Sequence, residues 1–277
     1  MTTMIPYRLA ASDLDDTLLA AGKLSATNIA AVGRIKERVP LVALASGRIL
    51  QQIQPFHKEL GLDTPMVASN GALVIKADGE VISEVGLPED TARGILNFAV
   101  KRQVTTICHF RDGIYVTSKF HWNAESQQHV VELGNAVKFV NHKSVRGRSP
   151  YKIIVSAPAA VIDELVGQSN ARFGHRVEVL HLNHETIEFM PKGVDKAFGL
   201  KALTSFYGIE ASEVVVFGDG NNDLSMFAWA GLSICMSHGS PAARAAAGLI
   251  APESAREDNF ASAVDQVLAL QYRKGAA

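Results

Sequence analysis

Two short acidic clusters constrain this chain more than any other feature. Asp13-Leu14-Asp15-Asp16-Thr17 closes an apolar run that reads as a strand over Tyr7–Leu14, and Gly218-Asp219-Gly220-Asn221-Asn222-Asp223 follows the apolar run Val214–Phe217. Carboxylates crowded together repel one another, and each resists ionisation unless a cation is present. In a parallel sheet, ligands bind at the C-terminal ends of the strands. Taken singly, the first cluster also reads as an Asp-rich turn capping the next helix, and the second as a Gly/Asn-rich turn. Two such clusters at strand ends, one near each end of the chain, are better explained by a single cation site. That explanation requires both ends of the chain to enter one sheet.

The pattern between the clusters agrees. In the first third, apolar strands at Tyr7–Leu14, Leu41–Ala45 and Met66–Ser69 alternate with helical segments at Ser25–Arg38 and from Arg48 to Leu60, with Ser25 as an N-cap. Such alternation predicts a parallel sheet with right-handed crossovers. Leu73–Ile75 and Val81–Ser83 flank Ala77-Asp78-Gly79-Glu80, a hairpin signal. After Gly86 strands outnumber helices, as in an α+β unit: a helix opens at Pro88-Glu89-Asp90, another covers Ala159–Asn170, and strands are expected at Thr105–Phe110, Ile114–Thr117, Tyr151–Ser156, Arg176–Leu182 and Thr186–Met190. From Val194 the α/β alternation resumes through strands at Val214–Phe217 and Leu232–Met236 to a final helix over Phe260–Tyr272. At 277 residues the chain exceeds one ordinary domain of about 100–150 residues. The simplest organisation is one α/β core from residues 1–85 and 191–277, interrupted by an inserted α+β domain at 86–190.

Bulk properties exclude some functions. The net charge of -1 gives no electrostatic reason to bind nucleic acid. No apolar run is long enough to cross a bilayer, and the N-terminus lacks a basic segment followed by a long apolar stretch, so a cytoplasmic protein is expected. Cys108 and Cys235 each lie inside an apolar run without metal-site spacing, and read as buried free thiols.

Two smaller elements suit a phosphate. Ser46-Gly47-Arg48 follows the strand Leu41–Ala45, offering a hydroxyl and unhindered N–H groups ahead of a helix. Lys196, early in the helix after Gly193, can set an ammonium against a phosphate oxygen. In order, Asp13-Leu-Asp-Asp-Thr, Ser46-Gly-Arg, Gly193-Val-Asp-Lys196 and Gly218-Asp-Gly-Asn-Asn-Asp resemble the four motifs of haloacid dehalogenase-like phosphatases. Ser69-Asn70-Gly71-Ala72 and the long insertion before Lys196 resemble the Cof-type branch, which carries an α/β cap between the second and third motifs. The resemblance implies an α/β fold with a Rossmann-like parallel-sheet core and an inserted α+β cap that sets substrate specificity.

It also implies roles. Asp13 is the expected nucleophile, forming an aspartyl-phosphate, and Asp15 the expected general acid and base. Mg²⁺ is the expected cofactor, held by Asp13, the backbone carbonyl of Asp15 and the Asp219 side chain, with Asp223 in the outer shell of the metal. Leu14 (through its backbone), Ser46, Gly47, Lys196 and Asn222 are the expected phosphate ligands; Lys192 stands nearby, but Gly193-Val-Asp-Lys selects Lys196. The chemistry needs Asp13 ionised and Asp15 able to hold a proton. The expected substrate is a small phosphorylated metabolite, with sugar phosphates first. A phosphotransferase or sugar phosphomutase uses the same site, and a non-catalytic phosphometabolite-binding module is the rival from another class.

Three segments depart from the family pattern: Asp16 where glycine is most common, Met236-Ser-His-Gly downstream of the fourth motif, and Arg256-Glu-Asp-Asn. Seven of the nine histidines lie between Gly86 and Met190, but no carboxylate or cysteine completes a ligand set around His181 and His184, so packing or surface roles are expected. Lys138, Lys143, Arg146, Arg148 and Lys152 form a stretch without an acid, read either as a solvated loop or as a contact for an anionic or hydroxyl-rich leaving group. Phe120 and Trp122, with His121 between them, either line a substrate face or pack in a core.

Overall fold

The computed structural model describes residues 7–118 and 137–275, and Phe120, His121 and Trp122 lie outside the described residues. The chain begins with β1 (Leu9–Ser12), α1 (Ala26–Lys36), β2 (Leu41–Leu44), α2 (Leu50–Glu59), β3 (Met66–Ala68), β4 (Leu73–Ile75) and β5 (Val81–Glu84). It continues with α3 (Glu89–Lys101), β6 (Thr105–Phe110), β7 (Gly113–Ser118), β8 (Val137–Phe139), β9 (Lys152–Ser156), α4 (Ala159–Phe173), β10 (Val177–Asn183) and β11 (Thr186–Pro191). The last part is α5 (Lys196–Tyr207), β12 (Val214–Gly218), α6 (Leu224–Trp229), β13 (Leu232–Cys235), α7 (Pro241–Ala246), β14 (Leu249–Ile250) and α8 (Asn259–Gly275). These elements divide into two compact units, one reaching Ser83 and resuming at Asp195, the other Glu84–Val194.

The first unit is built on a five-stranded sheet in the order β14-β13-β12-β1-β2. Its pairings are all parallel. The central strands read as unbroken apolar runs because both faces are covered: every residue of β1 and β12 is buried. On one face Leu200, Leu203, Met226, Phe227 and Ala243 pack against Leu9, Ala11, Val214 and Val216. On the other, Phe217 meets Phe260 edge-on at 5.2 Å. Ser25 caps α1 by accepting from the Asn28 N–H at 3.0 Å, a bond of the kind that stabilises a helix by about 1 kcal/mol. Both chain ends therefore enter one sheet, which brings the loops after β1, β2 and β12 to its C-terminal edge.

The segment Met66–Ser69 meets expectation in part. Its strand joins the core sheet in parallel at the bridge Ala45↔Val67, but its ladder is with β4, antiparallel, in a three-stranded sheet β3-β4-β5. β2 ends at Leu44, and just beyond it Ser46 donates its N–H to the Val67 carbonyl at 2.9 Å. The short strands β8 and β14 carry too few residues to leave a pattern in the sequence.

In the second unit a six-stranded sheet, β10-β11-β9-β6-β7-β8, presents alternate residues to α3 and α4. Ile95, Leu96 and Ala99 of α3 and Ile162, Leu165 and Phe173 of α4 bury Cys108, Ile153, Val155, Ile187 and Phe189 of the strands. Both cysteines are free and buried, and burial pushes each thiol up to about 12. Neither is therefore a thiolate at neutral pH. No helix among the described residues is long and apolar enough to cross a membrane.

Candidate active site

The site begins where β1 ends. The Asp13 N–H donates to the Phe217 carbonyl at 3.0 Å, which sets the ends of β1 and β12 side by side. Asp13, Asp219 and Asp223 each offer an oxygen within 4.8 Å of the other two. Lys196 is fully buried beneath them, with Nζ 2.7 Å from Asp13 Oδ1 and 2.6 Å from Asp223 Oδ1.

Local chemistry holds each group. Asp195 caps α5 by accepting from the Phe198 N–H at 2.8 Å, so Lys196 is the first helical residue. Gly71, at φ 92°, and Gly199 let the Ser69–Gly71 turn press against α5: a Cβ on Gly71 would sit 2.0 Å from the Asp195 carbonyl oxygen. Asp223 Oδ2 accepts the N–H groups of Asp219 and Gly220, both at 2.9 Å, and folds its own loop around itself. Gly218 is required there, since a Cβ would lie 2.5 Å from the Asp223 carboxyl. Asp219 Oδ1 accepts from the Thr17 hydroxyl at 2.7 Å.

Three carboxylates thus face one ammonium. Burial pushes the Asp13 carboxyl up to about 7; Lys196 opposes that shift and Asp223 adds to it. Burial raises Asp219 as well, with Asp223 and Asp16 adding repulsion. For Lys196, burial acts downward, but Asp13 and Asp223 outweigh it, and the net shift is upward. The ammonium is therefore charged, while the carboxylates remain in excess of their compensation. A hard oxygen set with surplus negative charge fits a divalent cation, and Asp13 and Asp219 have oxygens close enough to share one. Both oxygens of Asp223 are already engaged, by Lys196 and by two backbone donors.

The remaining expected residues flank this cluster. Ser46 is fully buried, and its hydroxyl accepts from the Arg48 N–H at 3.2 Å. Gly47 abuts Asn70, whose Oδ1 would lie 2.9 Å from a Cβ added at Gly47. Asn222 Nδ2 also reaches Asn70 Oδ1, at 3.5 Å, so the second and fourth loops meet through Asn70. The Leu14 backbone acts to lower the Asp13 carboxyl, against the larger effect of burial. Lys192 lies in the second unit, donating to the Gly174 carbonyl at 3.3 Å.

Asp15 is held apart from the cluster. Its carboxylate is forked by Arg48, with Nε donating to Oδ2 at 2.9 Å and Nη2 to Oδ1 at 2.5 Å. Thr17, Arg48 and Asn70 are site residues to which sequence reasoning assigned no role, although all three stand inside quoted motifs. His238 and Arg256 also border the site: His238 Nε2 donates to the Asp16 carbonyl at 2.7 Å, and Arg256 lies 3.7 Å from the Asp16 carboxylate. In the second unit most of the basic stretch is internally neutralised. Lys138 and Arg148 both pair with Asp112, and Lys152 pairs with Glu188. The rings of His181 and His184 meet edge-on at 6.5 Å, and among the described residues the aspartate cluster is the only candidate cation group.

The chain's relatives are named phosphatases, which places it among the hydrolases of phosphoric monoesters. Within that class, a family model of haloacid dehalogenase-like hydrolases matches residues 10–263, and the chain belongs to that family. It is 26% identical over 256 residues to the HMP-PP phosphatase of Serratia proteamaculans (strain 568), covering 85% of each chain. It is 27% identical over 265 residues to 5-amino-6-(5-phospho-D-ribitylamino)uracil phosphatase YbjI of Escherichia coli (strain K12), covering 94% of this chain and 96% of that protein. Among solved structures, a haloacid dehalogenase-like hydrolase from Bacteroides thetaiotaomicron superposes with a TM-score of 0.84 at 25% identity, covering 94% of this chain and 99% of that one.

Proposed function

We propose that this phosphatase of small phosphorylated metabolites uses Mg²⁺ and an aspartyl-phosphate on Asp13, and that its substrate carries the phosphate on a sugar or polyol. The observation that carries the reading is the buried cluster in which Asp13, Asp219 and Asp223 exceed the charge of Lys196. An uncompensated carboxylate beside a lysine is a poor structural element and a good nucleophile once a cation is added. The polyol preference draws on the relative named for a phospho-D-ribityl compound and on the family resemblance of the motifs.

Asp13, Asp219 and the Asp15 carbonyl would hold Mg²⁺, whose positive charge would keep Asp13 ionised and offset charge on the phosphoryl group. Asp13 then attacks phosphorus, the bond to the leaving oxygen breaks, and that oxygen takes a proton from Asp15. Lys196, Ser46, Asn222 and the N–H groups of Leu14 and Gly47 hold the phosphoryl oxygens. In the second step water attacks phosphorus, its proton passes to Asp15, and the bond to Asp13 breaks. Asp223 keeps Lys196 and the Asp219 loop in place. Residues 1–85 with 191–277 are the catalytic core, and residues 86–190 the specificity cap.

The test is phosphate release from a panel of sugar, polyol and nucleotide phosphates with Mg²⁺. Release without any added acceptor, lost in Asp13→Asn, is expected, together with a phosphate adduct on the Asp13 peptide after acid quench. Product appearing only with an added sugar acceptor would assign a phosphotransferase or phosphomutase instead. Metal-replete protein that binds phosphates but turns over none would assign a binding module.

A further inference from the structure

One ion pair at the site, between Asp15 and Arg48, is left unused by the proposed chemistry. Asp15 is half-exposed at 53% of its side chain, on a turn, and a carboxylate so placed has no packing to fix its two side-chain torsions. Arg48 supplies what packing does not. Its Nε and Nη2 donate to separate oxygens of Asp15, the planar two-bond arrangement that fixes a carboxylate in both position and plane.

Arg48 is itself anchored. Its N–H donates to the Ser46 hydroxyl, its carbonyl accepts from the Ser69 N–H at 2.8 Å, and its guanidinium lies 5.4 Å from the centre of the Phe56 ring. The Ser46-Gly47-Arg48 loop therefore delivers a rigid cation to the turn after β1. A lysine could not do the same, because an ammonium is a point charge without a fork.

We propose that Arg48 is the positioning residue for Asp15: the fork places the carboxyl, and when one oxygen takes up a proton to serve the leaving group it gives up its bond to Arg48 while the other stays on the guanidinium. The proposal rests on the reading of Asp15 as the general acid and base. In the first step the Asp13 oxygen bonds to phosphorus, the bond from phosphorus to the leaving oxygen breaks, and the Asp15 proton moves to that oxygen. A leaving group that departs as a stable anion needs no such proton. Loss of Arg48 must then be felt in proportion to the basicity of the leaving group, a signature that a purely structural residue does not give.

The experiment measures kcat/KM, which reports the first step, for an alkyl phosphate from the panel and for p-nitrophenyl phosphate. The variants are Arg48→Ala, Arg48→Lys and Asp15→Asn, with thermal unfolding recorded for each. For the alkyl phosphate Asp15→Asn is expected to lower kcat/KM about 10²–10⁴-fold, the contribution of a positioned acid, and Arg48→Ala about 10–100-fold; for p-nitrophenyl phosphate each loses less than about threefold. Arg48→Lys should fall between. If Arg48→Ala does not fold, Arg48→Gln carries the same comparison. An Arg48 variant that loses equally on both substrates, or on neither, while Asp15→Asn keeps the split, overturns the role of Arg48. An Asp15→Asn enzyme without the split overturns the reading of Asp15 and the proposal with it.

Discussion

Stripping divalent cations from this protein should make its stability depend on Asp13. Asp13 is 5% exposed, and its carboxyl is pushed from 3.8 up to about 7 by burial, against the pull of Lys196. The folded state therefore binds this proton more tightly than the unfolded chain does. The stability that proton contributes is fully present below about pH 4 and is lost as pH rises through about 7. The gap from 3.8 to about 7 corresponds to about 4 kcal/mol, at ~1.36 kcal/mol for each tenfold change in proton affinity. Roughly 3 kcal/mol of it falls above pH 5. Asp13→Asn keeps the shape, removes the charge and abolishes this titration. Urea unfolding of both proteins in EDTA, from pH 5 to pH 8, should show wild type losing about 3 kcal/mol relative to Asp13→Asn. Saturating Mg²⁺ should restore wild type at pH 8 and leave the variant nearly unchanged. Comparing the two proteins cancels titrating groups away from the cluster, among them the buried His57, which burial shifts in the opposite sense, whereas Lys196 loses part of its upward shift with the Asp13 charge. Parallel pH profiles for the two proteins in EDTA would refute the reasoning, because Lys196 would then compensate Asp13 completely without a cation.

Two other substitutions probe the frame around the cluster. Thr17→Val removes the hydroxyl that holds Asp219 Oδ1. Loss of a partner to a metal ligand typically costs about 10–100-fold in metal affinity or activity; the Mg²⁺ concentration for half-maximal activity should rise about tenfold with kcat at saturation little changed, and an unchanged Mg²⁺ requirement would dissociate Thr17 from the cation. Gly71→Ala places a Cβ 2.0 Å from the Asp195 carbonyl oxygen at a backbone of φ 92°. A loss of at least about 3 kcal/mol is expected from clash and strain combined, with activity falling because the helix that begins at Lys196 must move; a shift of only a degree or two in thermal midpoint would contradict the packing described.

The parts legible in the sequence were those encoded by local pattern. The runs at Leu9–Ser12 and Val214–Gly218 are apolar on both faces, and the acids follow directly, so the strand ends and the cluster could be inferred together. The Ser25 cap was equally local. What escaped was set by partners distant in the chain. Nothing near Lys138 or Arg148 in the stretch they share with Lys152 announces that Asp112 neutralises both, nor near Lys152 that Glu188 takes its charge. That Met66–Ala68 takes its ladder from antiparallel β4, and joins the core sheet through one parallel bridge, is likewise not written in its own apolar run. The pairing of Asp15 with Arg48 belongs to the same kind: both residues stood in recognised motifs, but the contact joins two of them.

The same logic explains the departures from the family pattern, which look unrelated along the chain and meet in space. Asp16 adopts φ 53° where glycine is most common, a conformation that costs an L-residue about 1 kcal/mol or more. Its carbonyl accepts from His238, and its carboxylate faces Arg256. The loops carrying those two residues are in turn tied by Asn259, which accepts the Ser237 N–H at 2.8 Å and donates to the Pro252 carbonyl at 2.8 Å. Aspartate tolerates the left-handed conformation better than most residues, and a histidine and an arginine from two other loops contact it there. The three departures therefore act as one compensated change: Asp16→Gly should relieve strain at the turn while releasing Arg256, whereas His238→Ala leaves Asp16 strained and its carbonyl without that donor. Unfolding measurements on the single and double variants should show the two substitutions to be non-additive, because His238 stabilises a backbone conformation that glycine adopts without help; strict additivity would mean that the three residues are neighbours and nothing more.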